Sequence, residues 1–510
     1  MSSTPSFNAL FAESRAALND AQREAVQHIE GATLVIAGPG TGKTHILATR
    51  IGEILTKTDA QPYNILCLTF TDAGVRAMRE RLAALIGAAA HKVRIQTFHG
   101  FCNRVIQDNL DMFGRQDLTA LDELERRQLI RTLLDELPFE HILKKGRGSD
   151  VYFYEKHLAD LFKLMKTEAW TQPFVARAID EYLQDLPENN DFKYKISKKG
   201  LFEKGDLKTE TIEAETERME RLRAASQLYI RYEVLKTAAN RYDFDDMIIW
   251  VIEAFERLPF LLRGFQEQFL YFLIDEFQDT NGAQNRLLGQ LIDFWQQPNI
   301  FIVGDDDQAI YEFQGARLKS LLDFHATYSP DVKVVVLKNN YRSSQHILDA
   351  AANIVDNNKL RIVNNLNDIK FDKKLTAFHK KETTDILPKI IEYPNRFQEL
   401  TDIVAQIENL KSQNIPLSNT AIIYARHRAA EPFLKLFEKK GIPYSVRRAI
   451  NILDEPIIQN LRLLLQYIQL EANQYLSGEY LMFKILNINF LNINKNFTLK
   501  IGRASCRERV

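Results

Sequence analysis

The stretch Ala37, Gly38, Pro39, Gly40, Thr41, Gly42, Lys43, Thr44 sets a glycine-rich turn between an apolar run and a helical pattern. Such a turn lets backbone N–H groups close around phosphate oxygens at a helix N-terminus, where the helix dipole already favours an anion. Gly38, Gly40 and Gly42 serve that purpose, although Ala37 stands where the usual pattern opens with glycine. Lys43 is then placed to reach the β- and γ-phosphates of a nucleoside triphosphate. Thr44 offers its hydroxyl to Mg²⁺, a hard ion that prefers oxygen ligands. The strand before and the helix after distinguish this loop from a glycine-rich turn of no function. ATP with Mg²⁺ is the expected cofactor pair.

A second apolar run, in FLYFLIDEFQDTN, ends in two adjacent carboxylates. Asp275 is expected to hold Mg²⁺ and Glu276 to orient and deprotonate the attacking water, the division of labour that phosphoryl transfer to water requires. Taken alone, an Asp-Glu pair after an apolar run is most often a solvated strand end. Its weight comes from the phosphate loop. A third run, NIFIVGDDDQAIYEFQGA, delivers three aspartates and Gln308; a fourth, VVVLKNNYRSS, delivers Arg342. Gln308 is suited to sensing the γ-phosphate or the lytic water. Arg342 is expected to act as an arginine finger from a second α/β unit, a contribution on the order of 10³ or more in turnover.

These chemical groups must be held by a scaffold. Short apolar runs at Thr33 to Ala37, Ile65 to Phe70, Leu270 to Ile274, Ile300 to Val303 and Val332 to Leu337 read as buried parallel strands alternating with helices. That alternation predicts α/β layers whose ligands sit beyond the carboxyl ends of the strands. Between about Val105 and Asn240 the text turns helical and charged, which predicts an insertion. The expected division is a first ATP-binding domain over 1–105 and 240–330, a helical insertion over 106–239, part of a second α/β unit over 331–447 with a strand at Ala421 to Ala425, and a helical remainder over 448–510. The asparagine-rich and basic end of that remainder reads as a truncated or foreign tail.

Bulk properties set bounds. A chain of 510 residues has room for about three or four domains. The 66 basic and 67 acidic side chains give a net charge of -1, so positive charge for a polyanion must be local to a groove. Three cysteines without CxxC spacing indicate neither a disulfide framework nor a zinc site. With no signal peptide and no apolar run near the ~18 residues of a membrane span, the expectation is a soluble cytoplasmic protein.

The residues resemble the UvrD/Rep family of superfamily 1 DNA helicases over about Leu18 to Leu470. LNDAQREAV is similar to the family's Q motif, AGPGTGKT to motif I, LTFTDAGVRAMRERL to Ia, TFHGF to Ib, LIDEFQDTN to II, VGDDDQAIY to III and NYRS to IV. The resemblance implies two RecA-like motor domains with helical accessory insertions, ATP in the cleft between the motors, and 3′-to-5′ movement on single-stranded DNA with unwinding at duplex junctions. It further implies that Gln22 reads adenine, Tyr341 stacks on the base and Arg342 contacts the γ-phosphate. Work in repair or replication, alongside repair proteins, follows from the same likeness. The helicase subunit of a helicase-nuclease, an RNA helicase, and a truncated non-catalytic ATP- and DNA-binding fragment are the other readings.

Single strands are held by polar groups that track the backbone and by aromatic platforms for the bases. Thr69, Phe70, Thr97, Phe98 and His99 at strand ends, with Tyr311 and Phe313 beyond Gln308, are the candidate DNA contacts. Core packing is the competing role for Phe70 and Phe98. The basic segment DFKYKISKKG reads better as a solvated loop than as a duplex contact. Phe313 and Gln314 stand where the family has Trp-Arg, and His45 replaces a customary Arg. No match to motifs V and VI is found, so reduced hydrolysis is expected.

Overall fold

The computed structural model describes residues 9–114, 118–144, 150–197, 201–310, 318–358, 361–365, 372–378, 387–446, 452–486 and 488. Its centre is a six-stranded parallel sheet. The strands are β1 (Thr33–Ala37), β2 (Ile65–Thr69), β3 (Arg94–Thr97), β4 (Tyr271–Ile274), β5 (Ile300–Gly304) and β6 (Lys333–Leu337). They lie in the order β3-β2-β4-β5-β1-β6. β1, β2, β4 and β5 are buried along their whole length, because helices cover both faces.

Side chains alternate across the sheet, so each strand feeds two cores. Leu34, Ile36, Leu66, Leu68, Phe272, Ile274 and Ile302 pack towards helices Phe98–Asp108, Asp246–Arg257 and Gly282–Ile292. Val35, Ala37, Ile65, Cys67, Leu273, Phe301 and Val303 pack towards helices Lys43–Lys57 and Asp72–Ile86.

Between helices Phe98–Asp108 and Asp246–Arg257 the chain leaves the sheet. It forms helices Glu123–Glu136, Glu155–Thr167, Gln172–Asp185 and Thr209–Ala238. Leu133, Leu158, Phe162 and Tyr232 make a core of their own there. A short parallel pairing of Thr119–Ala120 with Arg241–Tyr242 closes the base of this excursion. Beneath it lies a cluster of buried charge. Lys166 Nζ contacts Asp243 Oδ2 at 2.6 Å, Asp246 Oδ1 at 2.8 Å and Glu233 Oε1 at 2.8 Å. Lys236 Nζ contacts Asp246 Oδ2 at 2.6 Å and Glu233 Oε2 at 2.7 Å, and Arg126 meets Asp243 Oδ1 at 2.9 Å. Three cations face three anions, and the ring of Tyr232 lies against both ammonium groups.

Two expectations need correction. The segment Val332 to Leu337 does not open a second α/β unit: β6 pairs with β1, Thr33 opposite Lys333 and Ala37 opposite Leu337, as an edge of the first sheet. Residues 1–388 cluster as one compact unit, and the second begins at Lys389. That unit contains helices Arg396–Ser412, Glu431–Lys440, Pro456–Asn473 and Glu479–Leu486. Ala421 to Ala425, expected as a strand, forms no ladder, since no strand among the described residues of this unit lies beside it to take its hydrogen bonds. No helix among the described residues is long and apolar enough to cross a membrane.

Candidate functional site

The phosphate loop follows β1 and ends where Gly42, at φ +93°, caps helix Lys43–Lys57. Gly40 also lies at positive φ, +72°. Both conformations suit glycine. The loop is tightly covered: a Cβ on Gly40 would stand 2.7 Å from Arg342 Cβ and 2.8 Å from Asn340 Nδ2, and one on Gly38 would meet Leu375 at 2.9 Å. Thr41 is buried and its hydroxyl donates to the Gly38 carbonyl at 2.8 Å. Ala37 is buried at the end of β1.

β4 carries the acidic pair to the same end of the sheet. Lys43 Nζ meets Glu276 Oε2 at 2.6 Å. Glu276 has φ +51°, a left-handed conformation uncommon for a side chain of its size, and such strain concentrates at functional sites. Asp275 is buried and accepts a hydrogen bond from the Glu276 backbone at 3.0 Å. Burial, then the nearby Glu276 charge, pushes the Asp275 carboxyl up to about 6, with Lys43 opposing both. Asp279 is pushed up to about 6 for the same reasons. A buried carboxylate short of positive charge, beside a phosphate loop, suits a divalent cation, and the Thr44 hydroxyl at the helix start is an oxygen donor of the right kind.

From Glu276 a hydrogen-bonded chain leads to β5. Gln278 Nε2 donates to Glu276 Oε2 at 2.8 Å, and Gln278 Oε1 accepts from the Asp305 backbone at 3.0 Å. Gln308 Nε2 then donates to Asp305 Oδ2 at 2.6 Å. The described geometry therefore joins Lys43, Glu276 and Gln308 through Gln278, a residue within the quoted motif that sequence reasoning passed over.

Gln22, at 4% exposure, donates from Nε2 to the Thr41 carbonyl at 2.9 Å and forms a capping box with Asn19. Its helix is held by Arg50 of the phosphate-loop helix, whose buried guanidinium donates to the carbonyls of Ala25 (2.7 Å) and Ile29 (3.0 Å) and lies 4.2 Å from the Phe301 ring. Burial lowers Arg50 to about 9. Tyr341 is exposed beside this helix, its hydroxyl accepting from Asn19 Nδ2 at 2.9 Å. The residue that binds this segment to the phosphate loop is Asn340, fully buried and also missed. Its Nδ2 donates to the Pro39 carbonyl at 2.5 Å, and its Oδ1 accepts from the backbones of Arg342 and Ser343. Tyr341 N donates to the Gly40 carbonyl at 2.9 Å. Arg342 is thus suspended from the first sheet through β6, a correction to its expected delivery by a second unit. His45 turns to Ser14 Oγ at 3.3 Å, on the helix Ala9–Ala16.

Residues 18–329 match the family profile described as UvrD/REP helicase N-terminal domain, and residues 335–508 the one described as UvrD-like helicase C-terminal domain. The chain belongs to the UvrD/REP helicase family. It is similar to "ATP-dependent DNA helicase PcrA" of Bacillus subtilis (strain 168), at 28% identity over 458 residues, 89% of this chain and 53% of the relative. The protein of the same name from Staphylococcus aureus (strain Mu50) is 27% identical over 494 residues, 97% of this chain and 58% of the relative. The chain spans little more than half the length of these curated relatives.

Of the residues expected to meet DNA in a UvrD/REP helicase, Thr69 is buried at the end of β2 and Phe70 is half-buried. Thr97 caps helix Phe98–Asp108, accepting from Gly100 N at 3.0 Å. Phe98 is 2% exposed within the core that includes Leu66 and Phe272, and it is withdrawn as a base platform because a ring with no free face cannot stack on a base. His99 is partly exposed and contacts Asp245 Oδ1 at 3.3 Å. Tyr311 and Phe313 lie outside the described residues.

Proposed function

We propose that this chain carries the nucleotide site of an ATP-dependent DNA helicase that moves 3′-to-5′ on single-stranded DNA and opens duplex at single-strand junctions, in repair or replication in the cytoplasm. The observation that carries the reading is the linkage of Lys43, Glu276, Gln278, Asp305 and Gln308 at one end of the sheet. In this structure Glu276 is held by Lys43, so it is not free to take a proton from water. The γ-phosphate of ATP offers Lys43 a stronger, more negative partner, and transfer of Lys43 to the phosphate releases Glu276 as general base.

Gln308 is bound through its amide N–H₂ to a carboxylate that can only accept. Its Oε1 and second N–H are therefore left to orient water and phosphate. Bound Mg²⁺ would neutralise charge on the transferring phosphoryl group, held by Asp275 and Thr44. Gln22 and Tyr341 flank the site for the adenine base, and Arg342 lies over Gly40 to meet the γ-phosphate. Single-stranded DNA is taken by Phe70, Thr97 and His99, with Tyr311 and Phe313, whereas Thr69, 3% exposed, supports the end of β2 and offers DNA no side chain.

The test is ATP hydrolysis with and without single-stranded DNA, with Lys43→Ala as the blank, and strand displacement from duplexes bearing a 3′ or a 5′ tail. Turnover raised by DNA, with displacement only from the 3′ tail, is expected. Displacement from the 5′ tail alone would refute the polarity, and turnover indifferent to Lys43→Ala would refute the site.

A further inference from the structure

The turn that carries Gln308 is held from outside the motifs. Lys373, whose side chain is only 6% exposed, enters a group of three carboxylates directly after β5. Its Nζ contacts Asp305 Oδ1 at 2.5 Å, Asp306 Oδ1, and Asp307 Oδ2 at 2.8 Å. Arg361 completes the clasp with a two-pronged contact to Asp307, Nε to Oδ1 and NH2 to Oδ2, both at 2.9 Å. The Ile362 backbone donates to Asp306 Oδ2 at 2.8 Å.

Asp305 is the shared member. One of its oxygens holds Lys373 and the other holds Gln308 Nε2 at 2.6 Å. Three carboxylates within 4.8 Å of one another repel, and in a buried setting only a cation keeps them ionised and together. If Lys373 were removed, Asp305 would be pushed away by its like-charged neighbours, and the Gln308 amide would lose the oxygen that fixes which of its ends faces the turn. Two residues beyond Lys373, Leu375 covers Gly38, and Thr376–Ala377 pairs in parallel with Asn339–Asn340, the strand that fastens the phosphate loop. The same short segment therefore touches the sensor turn on one side and the loop's cover on the other.

From this geometry we infer that Lys373 is a positioning residue for the γ-phosphate sensor: it fixes Asp305, Asp305 fixes Gln308, and the chain thereby distinguishes a triphosphate from a diphosphate. The inference rests on the role proposed above for Gln308. It is tested by binding, which does not require turnover. Displacement of a fluorescent ADP analogue from the full 510-residue chain, in Mg²⁺, measures the affinities for ATPγS and for ADP separately.

Lys373→Met is expected to reduce the preference for ATPγS over ADP by about tenfold, the worth of one charge-assisted hydrogen bond, with ADP affinity held within about twofold. Gln308→Ala should lose the same preference, the double variant should lose no more than either, and Lys373→Arg should restore most of it. Equal weakening of both nucleotides, or an unchanged preference, would overturn the assignment. Should Lys373→Met fail to unfold cooperatively, Lys373→Gln, which keeps one donor, is measured against the same expectations. A wild-type chain that binds neither nucleotide, like Lys43→Ala, defeats the reading of the site as a whole. One that binds both without preference defeats the sensor and with it the role of Lys373.

Discussion

Two groups of buried carboxylates in this protein have been given opposite surroundings. Under the helical excursion, burial works against the charge of Asp243, but Lys166, then Lys236 and Arg126, outweigh it and hold the carboxyl at about 2. Beside the phosphate loop, burial and the neighbouring Glu276 raise Asp275 to about 6, and the single Lys43 does not compensate. The first group carries its counter-charge within the fold and works as a joint. The second is under-compensated, which makes it costly to the bare protein and receptive to a cation. Between these two groups the direction of the perturbation separates the roles: the downward shift of Asp243 goes with a fold that supplies its own counter-charge, the upward shift of Asp275 with a site that leaves room for one.

Breaking each group separates the two roles. The largest effect is expected from Glu276→Gln, which should lower ATP hydrolysis by about 10²–10⁴-fold while nucleotide binding persists, measured by steady-state turnover and fluorescent-nucleotide titration. Next is Lys166→Met, which leaves Asp243 and Asp246 with less positive charge and should cost about 3–5 kcal/mol in urea unfolding, with nucleotide affinity of the folded molecules unchanged. Asp275→Asn should do the reverse. It removes a carboxylate that the folded state disfavours ionised, so it should stabilise the chain by about 1–3 kcal/mol at pH 7 while abolishing Mg²⁺-dependent nucleotide binding.

The most gradual effect is a difference in pH dependence. Asp243 has a depressed value in the folded state, so its contribution is present above about 4 and is lost as pH falls towards 2. Asp275 and Asp279 have raised values, so theirs is present below about 4 and is lost as pH rises through 6. Unfolding free energy followed from pH 2 to 7 should rise to a maximum near pH 4 and then decline by about 2–5 kcal/mol, and Asp275→Asn should remove about half of the decline.

β1, β2, β4 and β5 were legible because burial on both faces writes each as an unbroken apolar run, and β6 because its run is apolar too; β3, the partly exposed edge RIQT, carries no such run and went unread. Pairing was not legible. Val332 to Leu337 looks the same whether it opens a new sheet or closes an old one, since periodicity reports local structure and not the partner. Phe98 read as a DNA platform because an aromatic after a strand can face either way; only the packing of Phe272 and Leu66 around it decides. Asn340 and Gln278 sat inside recognised motifs, but their work is to hold backbone and carboxylate groups, and a spacing rule built on catalytic groups does not look for that. Lys373 carried no signal: in the charged stretch DKKL it reads as solvent-facing, and its partners are distant in sequence.

The order of the sheet also governs when the site comes into being on the ribosome. β1, which launches the phosphate loop, lies between β5 and β6, so both of its neighbours belong to sequence from Ile300 onward. At about 5–20 residues per second, the strand nearest the start of the chain waits on the order of 15–60 s for either edge to be paired. Over that interval it is an apolar ribbon with two open edges, the kind of segment that recruits chaperones or sticks to its copies. An N-terminal piece that stops before Ile300 contains every residue of the phosphate loop and, besides β1, three strands of the sheet, yet neither of the two strands that pair with β1.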